Sequence, residues 1–264
     1  MSEPLRRLLQ IMRQLRDPQD GCAWDREQTF QSIVPYTLEE AHEVADAIQG
    51  GDAARIRDEL GDLLFQVVFL ARIAEERGLF DFDAVASGIG DKLVRRHPHV
   101  FGAPAGLTAD EQTRAWESFK AQERAAGGEQ GVLAGVARSL PALTRAAKLG
   151  KRAARVNFDW PDASGLRRKL DEELGEFEAT LQQREGSARQ HDELGDLLFV
   201  IANWARHLEL DPEAALRGTN DKFERRFLHM ERSAAATGTR LEDLDAEAWE
   251  RLWQQAKAAE RSAT

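Results

Sequence analysis

The octapeptide Asp-Glu-Leu-Gly-Asp-Leu-Leu-Phe stands twice in the chain, at Asp58–Phe65 and at Asp192–Phe199. Each copy follows an acidic cluster of the same form: Glu39, Glu40 and Glu43 before the first, Glu172, Glu173 and Glu176 before the second. A composite pattern repeated in this way marks a tandem duplication. The 264 residues therefore divide into two related modules, expected at 1–126 and 138–264 with a glycine-rich linker at 127–137.

The apolar residues recur at helical and not at alternating spacing. Leu5, Leu8, Leu9, Met12 and Leu15 give a first amphipathic helix. Thr37-Leu38-Glu39-Glu40 has the form of a capping box and predicts a helix from there to Gln49. A second helix is predicted over Ala53–Arg77, antiparallel to the first across a short turn, and others over Asp83–Arg96 and Ala109–Ala126. The second half repeats the plan, with helices over Leu143–Val156, Leu166–Gln182, Gln190–Leu208, Asp211–Ser233 and Glu242–Glu260. The expected fold class is all-α.

The net charge is −10, from 36 Lys plus Arg against 46 Asp plus Glu. That balance argues against a nucleic-acid partner, which calls for a basic stripe. Cys22 is the single cysteine, so no intrachain disulfide can form and a reducing cytoplasm is the expected compartment. No apolar run approaches membrane-spanning length, and Leu5–Arg16 is too often interrupted by arginine to be a signal peptide core.

Carboxylates three residues apart share one helix face. Glu40 with Glu43 and Glu59 with Asp62 can converge across the first hairpin, and Glu173 with Glu176 and Glu193 with Asp196 across the second. Four such groups raise one another's pKa unless a cation neutralises them. Hard oxygen donors of this kind suit Mg²⁺, with Mn²⁺ as a substitute. Gly61 and Gly195, costly inside a helix, suggest that a backbone or ligand comes close there.

A basic and aromatic layer is also duplicated. Lys92, Arg95 and Arg96 match Lys222, Arg225 and Arg226, and each triplet can clamp phosphate. Trp116 matches Trp253, an indole able to stack on a base. The Glu39-Glu40-Ala41-His42 string contains the Glu-x-x-His of di-iron bundles, but Gly175 takes the histidine's place in the second copy.

Together these elements resemble the MazG nucleoside triphosphate pyrophosphohydrolases, whose pattern is Glu-Glu-x-x-Glu followed on the next helix by Glu-x-x-Asp. The segment from Cys22 to Phe30 is similar to the family's N-terminal signature, with Ala23 where proline is usual. Arg138–Leu143 and Ala153–Trp160 look like the segments that open its second domain. The resemblance implies tandem MazG-like modules whose hairpins pair into four-helix bundles, a homodimer, and hydrolysis of NTP or dNTP to the monophosphate and diphosphate. It implies Mg²⁺ on Glu173, Glu176, Glu193 and Asp196; of these, Glu173 or Glu176 is the expected general base, as a carboxylate not fully committed to metal could take the proton of the attacking water. Arg167, Arg168, Lys169, Arg189, Lys222, Arg225, Arg226 and Trp253 would bind nucleotide. The first module keeps Glu40, Glu43, Glu59 and Asp62 as metal candidates, and Lys92, Arg95, Arg96 and Trp116 as nucleotide candidates. Two alternatives stay open: a non-catalytic nucleotide-sensing and protein-interaction module, and a base-selective dNTP pyrophosphatase of the same superfamily.

Overall fold

The computed structural model describes residues 2–102, 108, 119 and 131–262. The helix expected over 109–126, with Trp116, and the first part of the linker lie outside these residues, Phe119 alone excepted. Every regular element among the described residues is helical. The chain divides into two compact units, Met1–Phe119 and Lys120–Thr264.

In the first unit, α1 (Glu3–Leu15) packs on α4 (Ala53–Glu76), which pairs along its length with α3 (Phe30–Gly50) and also meets α5 (Phe82–Arg96). A short helix, α2 (Ala23–Glu27), and a single turn, α6 (Pro98–Phe101), complete it. Met12, Ile33, Val68, Phe69 and Ile73 form the core. Gly51, left-handed at φ 72°, ends α3, and Asp52 caps α4 through the Ala54 amide, so the hairpin turns within two residues.

The expected start of α3 is corrected. The helix begins seven residues before Thr37, at Phe30. Its capping box is Thr29 with Ser32: the Ser32 amide donates to the Thr29 hydroxyl at 3.2 Å, and the Thr29 amide to the Ser32 hydroxyl at 2.9 Å. Thr37 lies inside the helix and turns its hydroxyl back to the Ile33 carbonyl at 3.1 Å. Both segments offer the right cap chemistry; packing Ile33 into the core selects the earlier one.

The second unit opens with α7 (Ala142–Ala154), which lies against α9 (Ser187–His207). The hairpin here is α8 (Ala163–Gln182) with α9, and α10 (Pro212–Ala236) packs on α7, α9 and α11 (Ala246–Ser262). The last helix was expected from Glu242; a 3₁₀ turn at Leu241–Asp243 precedes it instead, and Asp245 caps α11 by accepting from the Ala248 amide at 2.7 Å.

One close approach fixes α7 on α9. A Cβ at Gly150 would stand 1.7 Å from Asn203 Oδ1 and 2.8 Å from its Cγ. Asn203 is wholly buried, its Nδ2 donating to the Phe199 carbonyl and its Oδ1 accepting from Arg206 Nε, both at 3.0 Å. At an open helical site Gly→Ala stabilises by about 1 kcal/mol. Here the sign reverses: Gly150→Ala is expected to destabilise the unit by roughly 1–3 kcal/mol in urea unfolding. Adding Asn203→Ala should cost less than the two single changes together. A Gly150→Ala protein as stable as the wild type would disprove this packing.

Candidate metal centre and nucleotide site

Both hairpins gather carboxylates, because each acid pair sits one turn apart on the face that meets the partner helix. In the first unit Glu40 and Glu43 of α3 and Glu59 of α4 each offer an oxygen within 4.8 Å of the others. Asp62 lies outside this trio. It is near enough that its charge, after burial, helps raise the Glu40 carboxyl above its ordinary range, and Glu43 adds to the effect. Gln66 Nε2 donates to Glu40 Oε1 at 3.4 Å and opposes the rise. Arg55 Nε holds Glu59 at 3.3 Å.

In the second unit the trio is Glu173 of α8 with Glu193 and Asp196 of α9, again within 4.8 Å. Glu173 and Glu193 are buried. Burial raises the Glu193 carboxyl, Arg189 opposes, and the charges of Glu176, Asp196 and Glu173 push further upward. Glu176, exposed, is thus the neighbour outside the trio, as Asp62 is in the first unit. Glu193 Oε2 is buried and accepts no hydrogen bond among the described residues.

Two cations cap this second cluster. Lys169 Nζ reaches Glu173 at 2.7 Å and Glu172 at 2.8 Å, and these bonds raise its ammonium pKa. Arg189 pairs with Glu193 and, at 3.3 Å, with Asp192. Arg167 is bound to Asp171 at 2.7 Å on the exposed side of α8, and Arg168 donates to Ser164 at 3.3 Å. The segment leading into α8 is pinned by Asp159. Partial burial works against its ionisation, but Arg206 and His207 hold its pKa down to about 2.

The basic and aromatic layer forms a separate cluster between α10 and α11. The Arg226 guanidinium lies 5.4 Å from the centre of the Trp253 ring, and Phe223 packs on the same indole at 5.8 Å. Arg225 and Arg226 both donate to Glu260, at 3.0 and 2.7 Å, which depresses its carboxyl pKa. Lys222 is half-buried one turn before Arg226. Lys92, Arg95 and Arg96 occupy the last two turns of α5. Trp116 lies outside the described residues.

One sequence expectation changes. A Cβ at Gly61 or Gly195 would meet nothing within 4 Å, so the close approach inferred there is not made by this chain's own described residues. Several apolar residues of the hairpins, among them Leu60, Leu64, Val67, Leu194 and Leu198, are exposed and not part of the core. Sequence reasoning also missed Gln66 and Glu260. The signal for Gln66 was available, since it is the first residue after the duplicated octapeptide, where the other copy has Val200.

All regular structure among the described residues is helical, and each hairpin gathers carboxylates that could hold a metal ion. The MazG nucleotide pyrophosphohydrolase domain matches residues 28–101. The chain is 49% identical over 256 residues to the nucleoside triphosphate pyrophosphohydrolase of Escherichia coli strain K12, covering 96% of this chain and 97% of that one. It is 41% identical over 256 residues to the nucleoside triphosphate pyrophosphohydrolase/pyrophosphatase MazG of Thermotoga maritima, covering 97% and 96%. The nucleoside triphosphate pyrophosphohydrolase of Mycolicibacterium smegmatis is 36% identical over 158 residues, 59% of this chain and 48% of that one. The chain belongs to the MazG nucleoside triphosphate pyrophosphohydrolase family, and so is a hydrolase. No helix among the described residues is long and apolar enough to cross a membrane.

Proposed function

We propose that the chain hydrolyses nucleoside and deoxynucleoside triphosphates to the monophosphate and diphosphate, with Mg²⁺ as the cation and Mn²⁺ as a substitute, at the cluster of the second module. The observation that carries this is the buried Glu193 oxygen without a hydrogen-bond donor, beside two further carboxylates. A buried acceptor left unsatisfied costs about 1–3 kcal/mol; a divalent ion removes that cost. A bound divalent ion also neutralises triphosphate charge and lowers the pKa of water.

Glu173, Glu193 and Asp196 would hold the ion. Glu176, exposed and near enough for its charge to act on Glu193, would take a proton from the attacking water at its carboxylate. Lys169 and Arg189, now paired with the acids, can turn to phosphate oxygens. Arg225 and Arg226 would do the same on leaving Glu260, with Lys222, Arg167 and Arg168 adding positive charge. Trp253 offers a face on which any base can stack, which supports broad base specificity and nucleotide-pool house-cleaning as the role. In the first module Glu40, Glu43, Glu59 and Asp62 would bind a cation, and Lys92, Arg95, Arg96 and Trp116 nucleotide.

The exposed leucines of both hairpins support a homodimer in which hairpins pair into four-helix bundles. We infer tandem modules over 1–126 and 138–264. The exposed, unbridged Cys22 suits the cytoplasm.

Attack at the α-phosphorus forms a bond from water oxygen to that atom and breaks its bond to the bridging oxygen, which leaves with diphosphate. Turnover in ¹⁸O-water is therefore expected to label the nucleoside monophosphate. Label confined to diphosphate would overturn the reaction as written.

A further inference from the structure

The two acid clusters differ at two matched positions and share a third. Four residues before the first glutamate of each trio, the second module has Lys169 and the first has Tyr36. Four residues before Glu193 stands Arg189, in close contact with it; the matching Arg55 reaches Glu59 at 3.3 Å, and the two arginines are about equally exposed. Seven residues after that same glutamate, the second module buries Val200, whereas the first buries Gln66. The second cluster is thus neutralised by two cations of its own. Among the described residues the first has one, and a neutral amide in place of a methyl pair.

Gln66 falls on the same face of α4 as Glu59 and Asp62, since steps of three and seven residues return to one side of a helix. It is 5% exposed. Its Nε2 donates to Glu40, so the amide head lies at the cluster, while its Oε1 is buried and has no hydrogen-bond partner among the described residues. Burying an unmatched amide where valine would pack dry is costly unless the oxygen has a use. A carboxamide oxygen is an ordinary ligand for hard divalent ions and brings no charge.

We propose that Gln66 makes the first module a resident divalent-cation site, one that fills without nucleotide. The side chain positions Glu40 through Nε2 and turns Oε1 to the ion or to a water on it. The second cluster, capped by Lys169 and Arg189, admits its ion only with the anionic substrate that draws those cations away. This rests on reading the acid clusters as cation sites.

The test uses the full chain, with Mn²⁺ alone as the probe and electron paramagnetic resonance as the readout. In a Glu193→Gln background, which silences the second cluster, one Mn²⁺ per chain is expected without nucleotide. Adding Glu59→Gln should remove it. Adding Gln66→Met should weaken it by about ten- to a hundredfold, the usual effect of losing a group that supports a metal ligand. Gln66→Val, which copies the second module, should do the same.

Unchanged affinity in either folded Gln66 variant would overturn the proposal, as would Mn²⁺ uptake by the wild type only when nucleotide is present. If neither variant folds, the wild type still decides: its Gln66 side-chain amide signals should broaden at sub-stoichiometric Mn²⁺, and sharp signals would refute the site. Failure of the wild type to bind Mn²⁺ even with nucleotide would instead bring down the underlying reading.

Discussion

Replacing Glu193 by glutamine is expected to lower kcat/KM for nucleoside triphosphates by about a thousandfold or more. The change keeps the volume of a buried side chain and removes one charge from the trio it forms with Glu173 and Asp196. A cation at such a site contributes several kcal/mol to stabilising the developing charge, and each 1.36 kcal/mol is a factor of ten in rate. The fold should survive, because burial already raises the Glu193 carboxyl and disfavours its ionised form. Melting in chelator should therefore match or exceed that of the wild type, separating lost chemistry from lost structure. Glu176→Ala should also come close to abolishing turnover, whereas Glu43→Ala in the first module should have a smaller effect. Equal losses at Glu43 and Glu176 would refute the assignment of the main reaction to the second hairpin.

The repeat made the architecture legible, since two copies of one acidic hairpin leave few other ways to bury Leu63, Val68 and their counterparts. The acid faces were legible for the same reason: a spacing of three on a helix determines orientation without tertiary knowledge. Three kinds of feature were not. The start of α3 was misplaced because Thr29-Ser32 and Thr37-Glu40 both carry cap chemistry, and only the burial of Ile33 distinguishes them. The partners of the basic residues were hidden because charge pairing across helices is set by packing. Arg225 and Arg226 share Glu260, 34 residues or more away in sequence. The exposure of Leu60, Leu64 and Leu198 was hidden because a helix with apolar residues on two sides has the same periodic signature whether one face or both are covered.

Arg16→Met is expected to cost the first module about 2–4 kcal/mol, more than any surface change there. Arg16 is one of the few buried charges among the described residues, with 6% of its side chain exposed. Its Nε and Nη2 grip the Glu76 carboxylate at 3.0 and 2.7 Å, tying the end of α1 to the end of α4. Its Nη1 donates to the backbone carbonyls of Asp25 and Gln28, and its guanidinium lies 5.4 Å from the centre of the Phe69 ring. One side chain thus fastens α2 and the start of α3 to the core. Breaking a buried pair from one side typically costs 3–5 kcal/mol. The lower figure applies here because Glu76 keeps Arg72 at 2.9 Å and is partly exposed. Methionine retains the apolar stem, so the loss reports the charge and its hydrogen bonds and not a cavity. Native-state hydrogen exchange is the suitable measurement, since it reads this unit by itself. The amides of Val68 and Phe69 should exchange faster by a factor on the order of 30 or more, given about 1.4 kcal/mol for each tenfold change. Unchanged protection at those two amides would mean that the lead-in segment is held by apolar contacts alone, and that the Arg16 network adds nothing to the folded state.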